Sequence, residues 1–419
     1  MKKWFTLENL HLLLGAHIVL WLNAACYGFV GDRIPSSIKL GLVALWFVIS
    51  LLRNNHFFST FAVSGYLMGI FYFMCFLSRR SEALGYFDQY GMNILYILIM
   101  IAVFSYYFYY GTQDEIKFLL IIFLVDVAII TVRTSIKLQE MPTLARIIST
   151  SSEDKSMMLG GNVPKAIGGY GLCYELVLMQ PIISYTLNKY KVKFIFKGLL
   201  YGFIMLFLFQ AQITLAFLMY PVMVLLCYTY GQQREGTISV VHLLLIIVTI
   251  SLVVAAPTLL EMIIETAESH LAERLKEVLG FLTEDQTLGG DTQARLELYT
   301  KSLTTFADNP VWGVFGRKGY GSHSTLLDIL AAYGVVGLTG YFGMFRPMQL
   351  TRKQLRTKKH VLRVVNMTYW AAIFISIVNV LIWNEIMMTL LIVVPLATKY
   401  FVNKEEVNSS EVVSNQCNA

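Results

Sequence analysis

Apolar runs of roughly membrane-spanning length recur from residue 10 to residue 402, and the charged residues gather in the gaps between them. A hydrocarbon core about 30 Å thick offers backbone amides no water, so each run must be a helix that closes its own hydrogen bonds. Hydropathy marks about twelve such runs, near 10–30, 38–52, 57–77, 92–110, 118–134, 166–187, 194–211, 213–230, 239–257, 324–345, 365–383 and 387–402. Composition agrees: 56% of the 419 residues are apolar and 14% charged, with a mean hydropathy of +0.60. A soluble globular domain averages about 45–50% apolar and about 25% charged residues. The expected fold is therefore an all-α polytopic integral membrane protein with about 12 transmembrane helices. The start, "MKKWFTLENLHLLLG", is basic but leads into an apolar run without a small-residue cleavage site, so no cleavable signal peptide is expected.

Basic residues give the orientation. The stretch 346–363 carries seven Lys or Arg in eighteen residues, 188–197 carries four, and the chain opens Met-Lys-Lys. Under a twelve-span count all three fall on one side, which is then the cytoplasm, with both termini inside. The net charge of +6 serves this asymmetry and calls for no nucleic acid. Residues 1–257 read as spans one to nine with an outer loop at about 135–165. Residues 258–323 form a long extracytoplasmic loop, 324–402 spans ten to twelve, and 403–419 a cytoplasmic tail.

The long loop has helical content of its own. In 258–282, Leu260, Ile264, Ala267, Leu271, Leu275, Val278 and Leu282 fall on one stripe with charges off it, an amphipathic helix. A second helix follows, with Leu296, Tyr299, Leu303 and Phe306 at helical spacing and Asn309–Pro310 at its end. The glycine-rich "VWGVFGRKGYGSHS" then leads to the next span.

Five cysteines, Cys26, Cys75, Cys173, Cys227 and Cys417, show neither a pairing ladder nor metal-ligand spacing, and most sit in apolar runs as small hydrophobes. No metal and no cofactor are expected. His323 stands just before a span with Ser322 and Ser324 as capping candidates. The positive end of a helix dipole keeps an imidazole neutral and able to accept a proton; an interfacial histidine bonded only to backbone fits the same position. Arg295 lies beside the apolar stripe of its helix. Its fork of donors suits phosphate oxygens, and it suits lipid headgroups equally. Arg317 and Lys318 flank glycines that let backbone amides approach an anion, and Arg146 in the first outer loop is a further anion contact or a solvated charge. Asp126, Glu175 and Asp328 fall within spans and are expected to face the protein interior. His11, His17 and His242 read as structural.

The run "ARLELYTKSLTTFADNPVWGVFGRKGYGSHSTLLDILAAYGVVGLTGYF" resembles the bacterial O-antigen polymerase and O-antigen ligase family. The resemblance lies in Arg295 with Leu296 and Tyr299, Asn309–Pro310 with Gly313, His323–Ser324, Leu330 to Tyr333, and Gly334 to Gly337. It covers about fifty residues, in the order and on the side of the membrane that the family shows. It implies a GT-C-like membrane glycosyltransferase of the bacterial cytoplasmic (inner) membrane, acting at the outer face. The implied donor is an undecaprenyl-pyrophosphate-linked oligosaccharide, with membrane lipid and a chain-length regulator protein as the other partners. By position His323 and Arg295 take the catalytic roles, with Arg317, Lys318, Arg146, Gln212 and Tyr299 at the substrate. The family's first arginine sits in a turn between two earlier spans, and here that turn carries Gln212, which donates hydrogen bonds but no charge. The implied reaction extends a polysaccharide such as O-antigen or capsule; transfer to a lipid A core by a ligase is the alternative. A flippase of lipid-linked sugars would instead line a transmembrane path with polar groups.

Overall fold

The computed structural model describes residues 6–23, 34–79, 85–149, 166–231 and 291–404. These are helices and connecting turns, with no strand among them. The amphipathic 258–282 stretch, the ninth span, His242, Cys26, Cys417 and nearly all of the expected tail lie outside the described residues.

In chain order the helices are α1 (Leu7–Leu22), α2 (Ser36–Arg53), α3 (Phe57–Leu77), α4 (Tyr86–Tyr109) and α5 (Gln113–Glu140). The short α6 (Leu144–Ile148) precedes α7 (Tyr170–Lys189), α8 (Phe194–Gln210) and α9 (Thr214–Gly231). After α10 (Asp291–Asp308) come α11 (Thr325–Tyr333), a 3₁₀ turn at Gly334–Gly337, α12 (Leu338–Met344) and α13 (Arg346–Gln354). α14 (Lys359–Val378) and α15 (Asn384–Met388, continued helically to Lys404) close the bundle. Six of the described stretches are long and apolar enough to cross a membrane: 36–53, 57–77, 86–109, 325–344, 359–378 and 384–404. Three shorter apolar helices lie at 7–22, 194–210 and 214–228.

Packing follows from burial. α4 and the final helix are the most enclosed, whereas α2 and α3 turn large apolar side chains such as Leu52 and Phe73 outward. Exposed apolar faces on every side are what a lipid solvent permits. Asp126, Glu175 and Asp328 are all buried, as ionisable groups within spans must be. Cys75, Cys173 and Cys227 are free and buried. At the end of the bundle away from residue 323, Thr112 and Glu115 form a reciprocal capping box that starts α5. Beside it Arg53 donates to Glu115 at 2.8 Å and to His11 Nδ1 at 3.0 Å. The Ser50 hydroxyl donates to the Trp46 carbonyl, so His11 Nε2–H donates to Ser50 Oγ at 2.8 Å. His11 is a structural residue, as its position in a span suggests.

Two breaks depart from simple spans. The run expected at 324–345 is not one straight helix. α11 lays its first residue beside Asn379 at the end of α14 and its last, Tyr333, beside Ser78 at the end of α3. It therefore crosses the end of the bundle. The chain turns at Gly334–Gly337 and α12 descends along α3, where Gly340 and Gly343 allow contact with Phe71 and Met68. The second break is residues 379–383, read from hydropathy as continuous with α14 and observed as non-helical chain with Leu381 and Ile382 buried and the rest half-buried.

Candidate functional site

α10 presents Arg295 and Tyr299, one helical turn apart, toward the end of α14. The Tyr299 hydroxyl donates to the Val378 carbonyl at 2.6 Å, which answers one of the acceptors left open where α14 stops. The same hydroxyl hydrogen-bonds the Arg295 guanidinium, and burial holds Tyr299 above the ordinary tyrosine range. Tyr299 thus fixes the half-buried Arg295 against the bundle.

The loop carrying His323 is shaped by one carboxylate. Asp328, on the first turn of α11, accepts the Ser302 hydroxyl at 2.8 Å and the Ser322 amide at 3.0 Å on Oδ1. Its Oδ2 accepts the Ser324 amide at 3.0 Å. Ser302 Oγ in turn accepts the Gly321 amide at 2.9 Å. To turn both serine amides inward the chain places Ser322 at φ +64°, a left-handed conformation that costs a non-glycine residue on the order of 1 kcal/mol. Gly321 is required for a different reason: a Cβ there would collide with the Leu298 carbonyl of α10. Ser324 caps α11 through Leu327 N at 3.2 Å and donates to the Ser376 carbonyl at 3.1 Å. Asp328 thus both shapes the His323 loop and bonds a neighbouring helix.

His323 is half-buried on this loop, and its pKa lies below the ordinary 6.5. Burial is the larger cause and the positive charge of Arg295 the second; a backbone bond at Ser322 opposes them. Imidazole and guanidinium therefore share one electrostatic environment, with the ring held neutral. A neutral ring beside a fixed cation can take a proton from a hydroxyl while the cation holds an anion.

The 379–383 break completes the wall. Asn379 donates to the Tyr174 hydroxyl of α7 at 2.8 Å, and its carbonyl accepts the Thr325 amide at 3.2 Å. The Thr325 hydroxyl accepts the Leu381 amide at 2.7 Å, and Asn93 donates to the Ile382 carbonyl at 3.0 Å. Irregular backbone survives inside a membrane bundle only when its amides and carbonyls are answered in this way. The available signal was Asn379 with Asn384 and Glu385 inside an apolar run, and hydropathy averaging erased it.

The other expected contacts divide. Arg146 is half-buried on α6, whose last turn packs on the start of α7, where Ser149 Oγ accepts the Tyr170 amide at 2.8 Å. Gln212 has φ +55° in the α8–α9 turn, next to Gln210, which accepts the Ser135 hydroxyl at the far end of α5. Arg146 and Gln212 thus lie at the same end of the bundle as His323. Arg317 and Lys318 are exposed. Their loop is pinned at Gly316 to Ala332 and Tyr86, and Gly319 meets Thr305. Thr305 is ten residues beyond Arg295 along α10, roughly 15 Å of helix. Gly313, at φ +58° and with the Ala331 carbonyl standing where a Cβ would be, folds that segment over the far half of α11. Among the described residues no group of three His, Cys, Asp or Glu side chains could hold a metal ion.

Residues 198–342 match the family model described as O-antigen ligase. The match supports the O-antigen polymerase and ligase family, whose members are glycosyltransferase-like membrane enzymes. It runs from α8 through Gln212, Arg295, Tyr299 and His323 to Phe342 in α12, so it takes in both catalytic candidates. No match was found among curated proteins.

Proposed function

We propose that the protein is a polysaccharide polymerase, transferring glycan from undecaprenyl pyrophosphate to an acceptor repeat unit at the outer face of the cytoplasmic membrane. The observation that carries the reading is that Asp328 ties the helix bearing Arg295 to the loop bearing His323, within the segment that matches the O-antigen ligase family. Cleaving the bond between the anomeric carbon and pyrophosphate leaves negative charge on the departing lipid. Arg295, held by Tyr299, stabilises that charge as it develops. His323 takes the proton of the attacking acceptor hydroxyl. Arg146 and Gln212 contribute further donors to the pyrophosphate, and Asp328 keeps the His323 loop in place. Twelve spans, cytoplasmic termini and a chain-length regulator as partner belong to the same reading.

His323→Ala and Arg295→Ala are expected to leave expression and membrane insertion intact and to abolish chain extension. Extracted polysaccharide run on a gel reads this directly, and unchanged ladders in both variants would refute the assignment. The description of the matching family favours one second reading, a ligase that moves glycan to a lipid A core. Purified protein given only lipid-linked repeat units separates the two, since a polymerase extends them and a ligase leaves them unchanged.

A further inference from the structure

A second feature lies at the end of the bundle opposite His323. There α7, α9 and α14 enclose a cavity of about 390 Å³ whose polar lining is Ser184, Tyr185, Asn188, Lys189, His360 and Arg363. It joins an apolar groove of about 680 Å³ between α9 and α14, and Arg363 and Met367 line both. The groove wall runs from Leu226 to Leu215, eleven residues and therefore roughly 16 Å of helix. One leaflet of a hydrocarbon core about 30 Å thick has that depth.

The two chambers differ in chemistry. Among the described residues no acidic side chain lines either one, and the basic groups stand at the mouth of the polar cavity: Lys189 in the last turn of α7, His360 and Arg363 in the first turns of α14. Lys189 donates to the Phe401 carbonyl at 3.1 Å, and His360 stacks on Tyr185 with centroids 6.1 Å apart, so the mouth is organised by packing. Basic pockets between membrane helices that continue into apolar grooves suit anionic headgroups with attached chains. A soluble phosphate would use the cavity and leave the groove bare, and a neutral lipid would gain nothing from the cations.

We propose that this cavity and groove bind one acidic glycerophospholipid, its phosphate against Lys189, His360 and Arg363 and one acyl chain along Leu218, Val222, Trp370 and Phe374. The site is independent of the glycosyl transfer proposed above.

Trp370 supplies a local probe, because it lines the groove and is exposed to it. The full chain in neutral detergent is titrated with phosphatidylglycerol or phosphatidylcholine carrying bromine on the acyl chain, and tryptophan fluorescence is recorded. Brominated phosphatidylglycerol is expected to quench at least five-fold more tightly than the phosphatidylcholine. That preference should disappear in Trp370→Phe and in the double variant Lys189→Gln/Arg363→Gln, and survive in Arg363→Lys. Equal quenching by both lipids would overturn the proposal, as it would if part of the chain itself filled the groove. So would a preference that persists in the Gln variant, or displacement of the lipid by millimolar inorganic phosphate alone.

Discussion

Ser302 on α10 donates its hydroxyl hydrogen to Asp328 on α11 at 2.8 Å, and the same carboxylate accepts the amides on either side of His323. One buried side chain thus joins the helix that carries the arginine to the loop that carries the histidine. Catalytic geometry between two segments depends on this kind of shared support.

Asp328→Asn tests that support. The amide offers one acceptor oxygen where three donors converge, and its NH₂ group faces an amide hydrogen. Leaving a buried donor unanswered costs about 1–3 kcal/mol. The variant is expected to insert normally, melt at lower temperature in detergent and lose most chain extension. A wild-type polysaccharide ladder with an unchanged melting temperature would show that the loop holds itself.

Tyr299→Phe removes the hydroxyl that joins Arg295 to the Val378 carbonyl. A hydrogen bond of this type contributes about 1 kcal/mol, so turnover should fall several-fold and stay above that of Arg295→Ala. Consumption of lipid-linked donor by the purified proteins ranks the three.

The pH dependence follows from His323. In the proposed reaction its neutral form is the base, and its pKa is lowered from 6.5 by burial and by Arg295, so activity is expected to persist as the medium turns mildly acidic. The acid limb of the rate profile is expected below pH 6.5, and Arg295→Gln should move that limb upward in whatever activity remains. Stability has the matching sign: below pH 6.5 the unfolded chain binds more protons at this site, so acidification weakens the fold. A limb above pH 6.5 would remove His323 from the role of base.

Gly321→Ala tests the close approach of the loop to α10. Its methyl group would meet the Leu298 carbonyl, and overpacking of a tight contact costs about 1–3 kcal/mol. The expected result is lower thermal stability together with loss of activity, read by melting and by the polysaccharide ladder. The exposed Arg317→Gln should leave the melting temperature near wild type.

The sequence by itself determined a helical membrane protein, because long apolar runs admit no other backbone solution in lipid. It also singled out Arg295 and His323, through the resemblance of their segment to the O-antigen polymerase and ligase family. It determined that Asp126, Glu175 and Asp328 face inward, through the cost of a charge in hydrocarbon. Tertiary structure alone decided what Asp328 does: its partners Ser302, Ser322 and Ser324 come from two segments, and no periodicity records a hydrogen bond across a turn. Structure also set the course of the loop that carries Arg317 and Lys318, because left-handed glycines such as Gly313 fix its direction while adjacency in sequence does not. The break at 379–383 was hidden for a related reason. Hydropathy measures how well side chains dissolve in lipid, whereas the helix ends at Val378 because Tyr299, Thr325 and Asn93 stand ready to receive its backbone.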